Sequence, residues 1–151
     1  MEYIYNSPVG KLLISYNDDY ITGLHFREEQ TKAFVDNEII SKCIAQLDAY
    51  FAGDLQDFDL PLKPTGTDFQ RSVWSALCKI EYGKTATYGA IAAIVGNPKA
   101  SRAVGGANNK NPIAIIIPCH RVIGASGKMV GYAGGMERKT WLLTHERNNL
   151  L

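Results

Sequence analysis

A cysteine and a histidine stand side by side at Cys119-His120, directly after the run Asn111-Pro112-Ile113-Ala114-Ile115-Ile116-Ile117-Pro118. A thiol next to an imidazole is a candidate nucleophile and base, because it is the thiolate that attacks and a free thiol near pKa 8.5 keeps most of its proton at neutral pH. In an extended chain, neighbouring side chains point to opposite sides. A direct Cys119–His120 bond therefore does not follow from adjacency, and a bridging water is the alternative. Metal ligation is the weaker reading: His25, His120 and His145 form no ligand spacing with Cys43, Cys78 or Cys119.

The elements around the pair must hold it in place. The isoleucines between Pro112 and Pro118 read as a buried extended run with the cysteine presented rigidly at its end. A helix is expected from about Glu137 through Trp141-Leu142-Leu143, with Glu146 near its C-terminal end. The macrodipole disfavours an anion there unless a cation or donor lies close, so by itself Glu146 reads as a surface residue. Upstream, Tyr88 to Val95 predicts a helix ended by Gly96, and a second helix is expected from Pro98 to about Asn108, with Asn97 as N-cap and Pro98 at N1. The pair resembles a helix-turn-helix. Its second helix carries Gly105-Gly106 in the interior, at ~1 kcal/mol per glycine relative to alanine. Either close approach of another backbone or internal packing would account for them. That helix has few side chains suited to reading base edges, and Arg102 is its one long cation.

Thr67-Asp68-Phe69-Gln70 fits a capping box at the start of a helix that buries Phe69, Val73, Trp74 and Leu77. Cys78 lies beside that face and reads as structural. The segment Leu60 to Gly66, with two prolines and a glycine, divides the chain into domains over 1–64 and 65–151. In the first, Tyr3-Ile4-Tyr5, Lys11 to Tyr16 and Tyr20 to Phe26 predict hairpin strands separated by Asn6 to Gly10 and Asn17-Asp18-Asp19. Glu38 to Phe51 then switches to helical period, with Cys43 in the apolar stripe and Gly53 as the stop. The expected class is α+β: a small N-terminal α/β domain of antiparallel sheet plus helix, then a mostly helical C-terminal domain with the helix-turn-helix.

Composition bounds the function. The 151 residues are 46% hydrophobic and 21% charged, which excludes disordered and fibrous classes. No apolar run reaches the ~18–20 residues of a membrane span, and MEYIYNSPVG has no secretory-signal pattern. Three widely spaced cysteines argue against a disulfide framework and for a reducing compartment, so a cytoplasmic protein is expected. The formal net charge of +1 conceals −6 over residues 1–66 and +7 over residues 67–151. A basic half of this kind suits an anionic partner, and a phosphate backbone leads the candidates.

Ile117-Pro118-Cys119-His120-Arg121-Val122 resembles the signature of the O6-alkylguanine-DNA alkyltransferases, also called methylated-DNA–protein-cysteine methyltransferases. Thr87-Tyr88-Gly89, Gly96 to Ala100, Arg102 to Gly105, Asn111-Pro112, Gly131-Tyr132, Trp141 to Leu143 and His145-Glu146 follow in family order. The resemblance is detailed over residues 67–147 and general before them. It implies repair of alkylated duplex DNA: a guanine carrying an O6-alkyl group, and as a possible second substrate O4-alkylthymine, is flipped out and its alkyl group moves to Cys119.

By the same resemblance His120 accepts the thiol proton through water, Glu146 holds the imidazole, Tyr88 meets the charge arriving on the base, and Asn111 braces the helix-turn-helix against the cysteine. Arg102 fills the gap in the base stack, with Lys99, Ala100, Ser101, Gly105 and Asn108 on the DNA side. Val122, Val130, Gly131, Tyr132, Ala133 and Lys139 correspond to the surroundings of the flipped base. No cofactor and no structural zinc are expected, since residues 1–66 offer only Cys43 and His25 as soft ligands. A monomer that reacts once is expected, because a thioether is a poor leaving group. The alternatives are a lesion-binding protein without chemistry, which in this family lacks the cysteine, a cysteine hydrolase, and a regulatory DNA-binding domain.

Overall fold

The computed structural model describes residues 1–30, 33–127 and 131–150. Strands β1 (Glu2–Ser7), β2 (Gly10–Tyr16) and β3 (Ile21–Phe26) form an antiparallel sheet in the order β1-β2-β3. Between β2 and β3, the Asn17 side chain accepts hydrogen bonds from the amides of Asp19 and Tyr20, both at 2.8 Å, which is the turn chemistry its residue type predicts. Helix α1 (Glu38–Phe51) starts where the Asn37 side chain accepts from Ile40 N. Its buried stripe of Ile40, Cys43, Leu47 and Tyr50 packs on the sheet. Burial pushes the Cys43 thiol up to about 12, so it is a core residue and no nucleophile.

Residues 60–66 do not swing free of the sheet. Ile21 N donates to Pro61 O (2.8 Å) and Lys63 N to Ile21 O (2.9 Å), while Leu24 N donates to Pro112 O and Ala114 N to Leu24 O. Strand β3 thus holds on its outer edge both the connecting segment and one segment of the C-terminal half, and one continuous apolar core runs through both halves.

Helix α2 (Asp68–Leu77) carries the expected capping box, with Thr67 and Gln70 satisfying each other's backbone amides. Trp74 Nε1 donates to Ala107 O at 2.8 Å and locks α2 against α4 (Ser101–Asn109). Cys78 is the exposed C-cap of α2 and not a packed residue. Helix α3 (Tyr88–Ile94) is capped by Thr87 and followed by Gly96 at φ 85°. A short parallel pair, β4 (Ala86–Thr87) with β5 (Val122–Ile123), brings the residue before Tyr88 beside the chain leaving Cys119. Helix α5 (Met136–Asn148) closes the fold. No helix among the described residues is long and apolar enough to cross a membrane.

Two local expectations are corrected. The second helix of the helix-turn-helix begins at Ser101, not Pro98. Ala100 N donates to Asn97 O, so Asn97-Pro98-Lys99-Ala100 is a hydrogen-bonded turn in which Pro98 takes the second position, a place its fixed φ suits as well as N1. The isoleucine run is buried but not extended. Ile117 N returns to Ile113 O at 3.0 Å and Ile115 adopts φ 70°. A short apolar run bounded by prolines carries no period that separates a buried loop from a buried strand.

Thr67→Ala removes the capping hydroxyl while Gln70 stays. The expected loss is about 1 kcal/mol, read as a lower urea midpoint with unchanged slope.

Candidate active site

Cys119 opens a single 3-10 turn, Cys119–Arg121, at the end of the isoleucine loop. Asn111 clamps that loop at both ends: its Nδ2 donates to Ile117 O (2.8 Å) and its Oδ1 accepts from Ile113 N (3.0 Å). Asn108 Nδ2 lies 3.4 Å from Cys119 O. The cysteine borders a cavity of about 160 Å³ whose walls include Asn111, Asn108, Tyr132 and Gly134, together with His25 and Phe26 of β3. Burial raises the thiol above its ordinary value, and hydrogen-bonding groups of Asn111 and Tyr132 and the charge of Lys139 act against that without overcoming it. At rest the sulfur keeps its proton and needs a base.

The candidate base stands next in sequence. His120 is fully buried, and its Nε2 lies 2.6 Å from Glu146 Oε2. The Glu146 carboxyl, held ionised by its cationic partner, can only accept, so Nε2 carries the ring hydrogen and Nδ1 keeps its lone pair. Nδ1 is buried and has no hydrogen-bond partner among the described residues. Burial, outweighing the attraction of Glu146, lowers the imidazole pKa, so the ring is neutral and able to accept a proton. No direct hydrogen bond joins Cys119 and His120 among the described residues. The turn is 3-10 and not extended, so the reasoning from opposite-facing neighbours does not apply.

Glu146 is fully buried, against the surface position its sequence context suggests. Burial alone would raise its pKa, but His120 and Arg121 together hold the carboxyl well below the usual range. Arg121 Nε donates to Oε1 (2.8 Å) and Nη2 to Oε2 (3.1 Å), while Nη1 is anchored on Ile80 O. Gly83 N, set at φ 77° in its turn, lies 3.3 Å from Oε1, and the Tyr50 hydroxyl donates to Oε2 at 2.7 Å. The offsetting cation that a glutamate at a helix C-terminus calls for is thus Arg121.

The other expected residues divide by place. Tyr88 is half-buried at the start of α3, and burial followed by the neighbouring Cys119 charge raises its hydroxyl pKa, so it remains a donor. Tyr132 and Ala133 line the cavity. Val122 and Lys139 are buried beside it, with Lys139 Nζ donating to Val122 O at 2.5 Å. Gly131 is exposed near Asn109, and Val130 lies outside the described residues. Lys99 and Arg102 are exposed, and Ala100, Ser101 and Gly105 are partly so. Lys99 and Ala100 fall in the turn before α4, not within the helix. Asn108, expected on the DNA side, is instead buried against Cys119.

Sequence reasoning missed Tyr50, Arg121 and the β3 wall. Arg121 was available as the cation adjacent to His120, whereas nothing local to Tyr50 or Phe26 marks either. Gly134 is small because the rings of Phe26 and Tyr132 press on it: a Cβ there would sit 2.7 Å from each. Among the described residues no cluster of three or more His, Cys, Asp or Glu side chains could hold a metal ion.

The buried neutral histidine makes stability depend on pH. A folded-state pKa below the ordinary 6.5 means the unfolded chain binds the proton first, so the His120 contribution is present above 6.5 and is lost as pH falls towards the folded value. Urea unfolding from pH 8 to 5 should show stability declining below about 6.5, and His120→Gln should flatten that decline.

The comparisons agree along the whole chain. The ribonuclease-like domain of 6-O-methylguanine DNA methyltransferase matches residues 1–64, and the DNA-binding domain of the same family matches residues 68–148. A methylated-DNA–protein-cysteine methyltransferase from Methanosarcina acetivorans is 52% identical over 149 residues, 95% of this chain and 96% of that protein. The crystal structure of the Mycobacterium tuberculosis O6-methylguanine methyltransferase aligns with TM-score 0.89 at 47% identity, covering 99% of this chain and 94% of that one. A structure of OGT from the same organism in complex with DNA aligns with TM-score 0.89 at 49% identity, over 97% and 92% of the two chains. With both halves matched in order and a buried cysteine, histidine and glutamate at its centre, the chain belongs to the 6-O-methylguanine DNA methyltransferase family.

Proposed function

We propose that this protein repairs DNA by moving the alkyl group of O6-alkylguanine in duplex DNA onto Cys119, once per molecule. The observation that carries the reading is the buried His120–Glu146–Arg121 cluster beside a cysteine that opens on a cavity. His120 Nδ1 takes the thiol proton, directly or across one water, and Glu146 stabilises the imidazolium. The thiolate then attacks the alkyl carbon. The new carbon–sulfur bond replaces the carbon–O6 bond, whose electron pair leaves with the base. Tyr88, still protonated, donates to the ring nitrogen N3 as that charge arrives. Lys139, buried near the sulfur, favours the thiolate.

Helix α4 supplies the DNA contact in this reading, with exposed Arg102 entering the stack as the base leaves and Lys99 meeting phosphate. Packing requires neither glycine of the pair. A Cβ at Gly105 would lie 3.7 Å from Tyr88, an ordinary contact, and one at Gly106 would meet nothing within 4 Å. That favours close approach of an external backbone over internal packing. Residues 1–64 and 65–151 act as two domains, and O4-alkylthymine is a second candidate substrate. The protein works as a monomer in the cytoplasm, where its free cysteines stay reduced. No step in this reading calls for a cofactor.

Incubation with duplex DNA carrying O6-methylguanine should raise the intact mass by about one methyl group on Cys119. Cys119→Ala should bind the lesion and gain no mass. An unmodified Cys119 in reduced wild-type protein would refute the transfer. Tyr88→Phe should retain transfer at a rate about 10² lower, measured in single-turnover quench experiments; a full rate would remove Tyr88 from its role.

A further inference from the structure

We infer that Tyr50, reaching in from helix α1, is a positioning residue for the transfer: by sharing Glu146 Oε2 with His120, its hydroxyl sets how firmly the imidazole holds a proton. The inference rests on His120 being the base of the proposed reaction.

Oε2 receives two short hydrogen bonds, from His120 Nε2 at 2.6 Å and from the Tyr50 hydroxyl at 2.7 Å, and a longer one from Arg121 Nη2 at 3.1 Å. A carboxylate oxygen offers about two lone-pair directions, so the two short donors draw on the same charge. The Tyr50 hydroxyl cannot turn away. Its ring is fully buried, with Phe51 at 5.1 Å, His145 at 5.3 Å, Phe58 at 5.4 Å and Tyr82 at 6.2 Å between ring centroids. Its backbone carbonyl is held as well, 2.7 Å from His145 Nε2. Burial and then the Glu146 charge push the Tyr50 pKa far up, so the hydroxyl stays a donor across the working pH range.

The other ionisable groups facing the pair are known from each packed element. Arg121 comes from the 3-10 turn, Tyr82 from the turn after α2, Lys139 and His145 from α5, and Tyr132 from the segment before it. Arg121 and Lys139 oppose a positive imidazole, and Glu146 favours it. Tyr50 is a neutral group that weakens the favourable partner without adding charge. Its hydroxyl adds to the burial that keeps His120 neutral at rest, while leaving enough of the Glu146 charge to stabilise the imidazolium once the thiol proton arrives. The N-terminal half thereby acts on the reaction without touching the sulfur or the base.

The experiment substitutes Tyr50 in the full-length protein in two opposite senses: Tyr50→Phe deletes the donor, and 3-fluorotyrosine at position 50 strengthens it. Two quantities are read. One is the His120 midpoint, from nitrogen-15 NMR of labelled histidine without DNA. The other is the acid limb of the single-turnover methyl-transfer rate against pH. Tyr50→Phe should raise both by about half a unit to one unit, and the fluorinated residue should lower both. Unmoved values in folded Tyr50→Phe, or shifts of the same sign from both substitutions, overturn the inference. If Tyr50→Phe does not fold, the fluorinated protein alone decides, and an unmoved midpoint overturns it. Because the NMR arm needs no alkyl transfer, wild-type protein that takes up no methyl while His120 responds as expected would sink the proposed reaction and leave the hold of Tyr50 on His120 standing.

Discussion

A carboxylate with no exposure to solvent is the constraint on which this molecule turns. An isolated buried charge is too costly to keep, so Glu146 persists only because donors converge on it. They come from far apart in sequence: Tyr50 on α1, Gly83 in the turn after α2, and His120 and Arg121 on the 3-10 turn. Each donor fixes an element. Satisfying one side chain therefore fastens the N-terminal helix, the helical half and the cysteine turn to α5 at a single point.

The protonation state of the site follows from that arrangement. Glu146 imposes the tautomer of His120 and leaves Nδ1 as the acceptor. Burial raises the thiol and lowers the imidazole, so both groups favour their neutral forms at rest. Burial does most to keep the imidazole neutral, and the charge of Arg121 adds to it against the pull of Glu146.

The cavity is likewise made by both halves. Strand β3 contributes His25 and Phe26, and its hydrogen bonds to Pro112 and Ala114 hold the loop that carries Cys119. The opposite wall comes from α4 and from the segment before α5. Ile115, forced to positive φ while buried, is the backbone strain this loop carries, and the Asn111 clamp accompanies it.

Much of this was legible in the residues themselves. Strands β1 to β3, helix α1, the Thr67 capping box and the helix before Gly96 follow from period and cap chemistry, which act within a few residues and need no partner. The Cys-His pair and its motif neighbours marked the site. The tertiary structure alone decided the rest. Asn97-Pro98 could start a helix or a turn, because the fixed φ of proline serves both, and the isoleucine run has no period to distinguish loop from strand. Glu146 read as a surface residue because the partners that make its burial possible lie 25 to 96 positions away. Such partners leave no pattern along the chain: local sequence settles how a segment coils, whereas the place of a charge is settled by whatever donors the packed fold brings to it.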